Sequence, residues 1–72
     1  MQVVVTLVPA YGRDYTSKKA LLEDWNAGKD FKVEPSGQYC SIQDVQRLKK
    51  LQGLTHLEFR YKNLREVVVV KL

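Results

Sequence analysis

Cys40 and His56 are the single thiol and the single imidazole of this 72-residue chain, and they bound the chemistry open to it. A thiol paired with an imidazole is a nucleophile, but no flanking motif ties these two together. Cys40 therefore reads as a small buried hydrophobe and His56 as an exposed strand residue. No second Cys or His is available to complete a metal set. The carboxylates Glu23 and Asp24 are adjacent on a helix and point different ways, so they do not converge for acid–base work. The expectation is a protein that is not an enzyme, with no cofactor, no metal ligands and no evident small-molecule substrate.

Charge offers binding instead. Residues 1–36 carry equal numbers of basic and acidic side chains, whereas residues 37–72 carry seven Lys/Arg against three Asp/Glu and hold the whole net charge of +4. That asymmetry is a mild form of a nucleic-acid footprint, and Arg47, Lys49, Lys50, Arg60, Lys62 and Arg65 are its candidate residues. Phe59-Arg60-Tyr61-Lys62 interleaves aromatic and basic residues as base-stacking sheets do. Strand alternation argues the other way: Phe59 and Tyr61 share a face with Leu57, and the cations take the opposite face. A second candidate is an anion site in which Arg13, Lys18 and Lys19 join the free N–H groups at a helix start. The stretch lacks the glycine spacing of a phosphate-cradling loop.

The elements that would position these residues follow from local pattern. Gln2 to Val8 is rich in β-branched residues and reads as a strand that Pro9 ends, having no N–H for a ladder. Thr16 or Ser17 can cap a helix whose Leu21, Leu22 and Trp25 form one apolar face and whose stop is Gly28. Its charges oppose the helix dipole, with Lys18 and Lys19 in the first turn and Glu23 and Asp24 toward the end. Phe31 and Val33 mark a half-buried strand within Lys29 to Glu34, closed by Pro35-Ser36-Gly37. A short extended piece at Gln38 to Cys40 leads to Ser41, which caps a second helix with Asp44 three residues on. Ile42, Val45, Leu48 and Leu51 form its stripe, and Gly53 is its stop. Thr55 to Lys62 alternates cleanly, and Asn63 turns the chain into a return strand from Glu66 to Leu72.

The order is β-α-β-(β)-α-β-β, which implies one α+β domain over residues 1–72: two layers, two helices on one face of a small sheet, and a C-terminal hairpin. Val3-Val4-Val5 and Val67 to Val70 are apolar on both strand faces, although helices cover only one face of such a sheet. Val4, Val68 and Val70, or their alternates, are thus candidate interface residues for a protein partner or a homodimer. The N-terminal apolar run is short, is split by Thr6 and has no basic lead. It reads as a strand rather than a signal peptide, and no stretch reaches the roughly 20 apolar residues of a membrane helix. The expected setting is cytoplasmic, without membrane contact.

With Tyr11-Gly12-Arg13-Asp14-Tyr15, the Trp25-x-x-Gly28-Lys29-Asp30-Phe31 pattern and the late Arg60-Tyr61-Lys62, the chain resembles small proteins encoded by bacteriophages and other mobile elements. The resemblance covers most of the length. It implies a genomic setting and an accessory role exerted by binding a host protein or nucleic acid; it implies no reaction and assigns no functional residue. Taken together, the expectation is a small binding module acting through protein–protein contacts, with nucleic-acid binding by the basic second half as the alternative.

Overall fold

The computed structural model describes residues 1–61 and 67–72. Among the described residues seven strands and α-helices follow one another: β1 (Val4–Pro9), α1 (Lys18–Asn26), β2 (Phe31–Val33), β3 (Tyr39–Cys40), α2 (Ile42–Gln52), β4 (His56–Phe59) and β5 (Val68–Lys71), with a 3-10 turn at Ala10–Gly12 between β1 and α1. The chain is the α+β domain expected, with two helices and a mixed five-stranded sheet. Asn63, Lys62 and Arg65 lie outside the described residues.

Local chemistry sets the helix ends. Ser17 caps α1 by accepting from the Ala20 N–H at 3.2 Å. For α2 the capping box is complete: Ser41 Oγ accepts from the Asp44 N–H at 3.2 Å, and Asp44 Oδ2 accepts from the Ser41 N–H at 2.9 Å. Gly53 ends α2 in the left-handed region at φ 70, where a side chain would cost ~1–2 kcal/mol. Leu51, assigned to the apolar stripe of α2, is exposed: a three-residue period falls behind the 3.6-residue turn and has drifted off the buried face by that point.

The strand order is β3-β2-β1-β4-β5. β1 and β4 pair in parallel at the centre, with Val5 opposite Leu57 and Leu7 opposite Phe59; every other pairing is antiparallel. Thr55 fastens the start of this central pair. Its hydroxyl accepts from the Val3 N–H at 2.8 Å and donates to the Val3 carbonyl at 3.0 Å.

Alternation then divides the strand residues between two faces. Leu7, Phe31, Cys40, Leu57, Phe59 and Val68 join Leu21 and Trp25 of α1 and Val45 of α2 in one buried cluster. Trp25, Phe31 and Phe59 form its centre, each pair edge-to-face with ring centroids 5.5 Å apart. That geometry adds ~0.5–1.5 kcal/mol per pair beyond burial alone. Both helices therefore cover one face of the sheet, and the other face is open.

Candidate functional site

The open face is ordered by the strand register. Lys71, His56 and Val4 form one row across β5, β4 and β1. Val69, Glu58 and Thr6 form the next, which Glu34 extends by donating its N–H to the Thr6 carbonyl. Val8, Lys32 and Tyr39 belong to a third, joined by Arg60, whose N–H donates to the Leu7 carbonyl. Charge alternates between rows: basic, acidic, basic. Arg60 Nη1 reaches Glu34 Oε1 at 3.0 Å between two of them, and the Lys32 ammonium sits 5.2 Å from the centre of the Tyr39 ring. Into this lattice are set the apolar side chains of Val4, Val67 and Val69, 42%, 45% and 57% exposed.

The valines named from sequence divide differently from the expectation. Val4 lies on the open face, but Val68 is buried and Val70 packs against the core. Their places are taken by Val67 and Val69. An unbroken valine run carries no alternation, so its phase is fixed only by register with β4: Val68 opposite Phe59 and Val70 opposite Leu57 face the core with them.

Arg13, Lys18 and Lys19 are not brought together. Lys18 and Lys19 stand in the first turn of α1, whereas Arg13 folds beside Asp24 toward its other end, ~9 Å along the axis at 1.5 Å per residue. Arg13 Nη1 lies 3.6 Å from Asp24 Oδ2, Nε donates to the Ala10 carbonyl at 3.1 Å, and the guanidinium sits 4.8 Å from the centre of the Phe31 ring. Both Nη atoms are buried without a hydrogen bond, so the group faces an aromatic surface rather than an incoming anion. Asp24 also accepts from the Tyr15 hydroxyl at 2.6 Å. This pair explains a carboxylate placed against the helix dipole: its partners come from the loop before the helix. Burial, then the bond to Asp24, pushes the Tyr15 phenol up to about 12.

The basic residues are dispersed as well. Arg47, Lys49 and Lys50 line a shallow depression on the exposed side of α2 with Gln43 and Gln46, and Arg47 Nη1 is 3.6 Å from Asp44. Arg60 is on the opposite side of the molecule, engaged with Glu34. Phe59 is fully buried; the Tyr61 hydroxyl accepts from the Tyr15 N–H. The Phe59 ring is closed to a base, and the half-buried Tyr61 is held through its hydroxyl.

Cys40 and His56 are separated by three strand spacings, ~14 Å, on opposite faces of the sheet. Burial raises the Cys40 thiol above its ordinary pKa. His56 Nδ1 is 2.8 Å from the Thr55 hydroxyl. A cleft of about 570 Å³ opens at the carboxyl ends of β1 and β4, lined by Arg13, Asp14, Glu34, Arg60 and Tyr61. Its cations are already paired with carboxylates.

A feature with no sequence signal is the tyrosine pair at the β3 side. Tyr11 adopts φ 62, ψ 24 in the turn after β1, a left-handed conformation uncommon outside glycine. There its ring meets Tyr39 at 6.2 Å, and the Tyr39 hydroxyl donates to that of Tyr11 at 3.0 Å. Among the described residues no helix is long and apolar enough to cross a membrane, and no group of three or more His, Cys, Asp or Glu could hold a metal ion. Comparison of the chain with protein-family models, curated proteins and solved structures returns no match.

Proposed function

We propose that this chain is a non-enzymatic binding module that acts through protein–protein contacts, made by the open face of its sheet. The observation that carries the reading is the face itself: exposed Val4, Val67 and Val69 set among rows of alternating charge. Apolar anchors ringed by both signs of charge suit another protein surface, where complementary charges fix orientation. They suit a polyanion poorly, because Glu58 and Glu34 run through the middle of the face and would repel phosphates. An accessory role in a bacteriophage or mobile element, exerted on a host factor in the cytoplasm, is part of this proposal and rests on the Tyr11–Tyr15 and Trp25–Phe31 patterns.

The competing reading is nucleic-acid binding by Arg47, Lys49 and Lys50 on α2, with Arg60, Lys62 and Arg65. Amide-resolved NMR separates the two. Under the protein-binding reading, raising the protein concentration or adding a protein partner shifts amides of β1, β4 and β5 with little dependence on salt. A mixed DNA and RNA pool then leaves α2 unmoved. Shifts centred on Arg47 to Lys50 that appear with nucleic acid at low salt and fade at physiological salt would overturn it.

A further inference from the structure

β5 is hydrogen-bonded to β4 on one side, and no strand of the described residues pairs with its other side. The phase of that open edge follows from one hydrogen bond at the end of the ladder. The Leu72 N–H donates to the Thr55 carbonyl at 2.9 Å, which makes Thr55 and Leu72 a hydrogen-bonded pair of the β4–β5 ladder. Such pairs alternate, so Val70 and Val68 also turn their main chain toward β4. Val69 and Lys71 turn theirs outward, and the same alternation carried one residue past the start of β5 does so for Val67. The same residues place their side chains on the open face. One alternating set therefore presents both unpaired N–H and C=O groups and exposed valines.

The two edges of the sheet are not alike. β3 at the far edge has two residues, too few to template a neighbour. β5 has four, Val68-Val69-Val70-Lys71, in unbroken register with β4 from Lys71 to Val68. Of the usual means of blunting an edge it carries no proline, no bulge and no inward-pointing charge; its one edge charge is Lys71, at the end of the strand.

Resting on the protein-binding reading, we propose that this edge is a homodimer interface: β5 pairs antiparallel with β5 of a second copy about a two-fold axis at Val69. Self-complementarity selects the second copy and the register. Centred on Val69, the pairing sets Val69 against Val69, and Val67 against Lys71 of the other copy, at both ends. Every outward-facing N–H and C=O of the three residues then finds a partner. No two like charges stand directly opposite, and the stem of Lys71 lies over a valine. Centring on Lys71 instead would oppose two ammonium groups, which is destabilising. The sheets of two protomers merge into one, with an unbroken open face and the valines at its middle.

The test is sedimentation equilibrium of the full chain from micromolar to millimolar concentration, with amide hydrogen exchange on the same samples. The expected result is a mass rising from 8.3 kDa toward twice that. Protection of the Val67, Val69 and Lys71 amides should rise with concentration while that of Val68 and Val70 stays constant. V69P deletes an N–H that β4 does not use and should remain monomeric. V69K keeps the main chain, places two ammonium groups opposite each other at the axis, and should also remain monomeric if V69P fails to fold. A wild type that stays at monomer mass to millimolar concentration overturns the proposal. So does a dimer that survives in V69K. The latter result, with concentration-dependent shifts elsewhere on the open face, would leave the protein-binding reading standing and place the contact away from the edge.

Discussion

Tyr15→Phe removes one oxygen from the centre of the loop–helix junction and leaves its ring in place. That ring is 6% exposed, lies nearly parallel to Phe31 with centroids 6.4 Å apart, and meets Tyr61 edge-on at 5.6 Å. What is lost is the hydroxyl's donation to Asp24 Oδ2 at 2.6 Å. A hydrogen bond to a charged acceptor contributes ~1.5–3 kcal/mol. Asp24 retains Arg13 and some solvent, so the net cost should fall near ~1–2 kcal/mol at neutral pH, a drop in Tm of roughly 5–10 °C for a domain this small.

The alkaline limb makes the prediction specific. In the folded chain Tyr15 is raised from 10.0 to about 12; a raised folded-state pKa confers stability that is complete below the unfolded value and lost as pH climbs through the folded one. Two units correspond to at most ~2.7 kcal/mol, enough to cancel the whole advantage of the hydroxyl. The gap between wild type and Tyr15→Phe should thus be constant from neutral pH to about pH 10 and close by about pH 12. Urea unfolding followed by fluorescence of Trp25, the single tryptophan, measures both proteins at each pH. A gap that persists unchanged through the alkaline range would refute the raised pKa that burial and this bond together give Tyr15. Equal stability at neutral pH would show that the bond contributes nothing.

Other perturbations have equally definite outcomes. Ser41→Ala removes the cap of α2 and should cost ~1 kcal/mol in the same urea assay. The Ser41 N–H and hydroxyl hold the Asp44 carboxyl below its ordinary pKa, so part of this cost should disappear in acid, as Asp44 protonates and its share of the box is lost. Trp25→Ala opens a hole between Phe31 and Phe59 at a cost of ~3–5 kcal/mol, which should leave so small a domain largely unfolded by circular dichroism. Native Cys40, buried with a raised pKa, should resist alkylation by iodoacetamide until the chain unfolds. Rapid labelling without loss of structure would show that the thiol is open.

What could be read from sequence is what local chemistry decides. Ser41, Asp44 and Gly53 bracket α2 through bonds that span a few residues, so the ends of that helix are written in the chain itself. The Leu57–Phe59 alternation likewise gave the phase of β4, since polar and apolar residues take turns there. Two features were illegible for the same reason: their cause lies far away in sequence. β1 pairs in parallel with β4 across both helices, an arrangement that only packing on a shared core selects. Valines 67 to 70 present the same side chain at every position, so the choice between Val68 with Val70 and their alternates for the exposed side stayed open until β4 imposed its register. Arg13 offered a lysine-rich helix start as its neighbour in sequence; in space its neighbours are Asp24 and Phe31.

The division of labour between the two faces leaves room, in a chain this short, for the proposed interaction surface. Nine- and eleven-residue helices are enough to cover one side of a five-stranded sheet and no more. Among the described residues every fully buried large side chain, Phe31, Phe59, Leu7, Leu21 and Leu57, belongs to that side. The open face therefore contributes little packing to the fold, and its cross-strand charges are solvent-exposed pairs worth ~0–1 kcal/mol each. Residues such as Glu58, Lys32 and Val69 are consequently not committed to the core. The exception is the main chain of β5, whose bonds to β4 are needed for folding on one edge and unused on the other. A surface whose side chains and one row of backbone groups are both unspent by folding is where association costs the domain least.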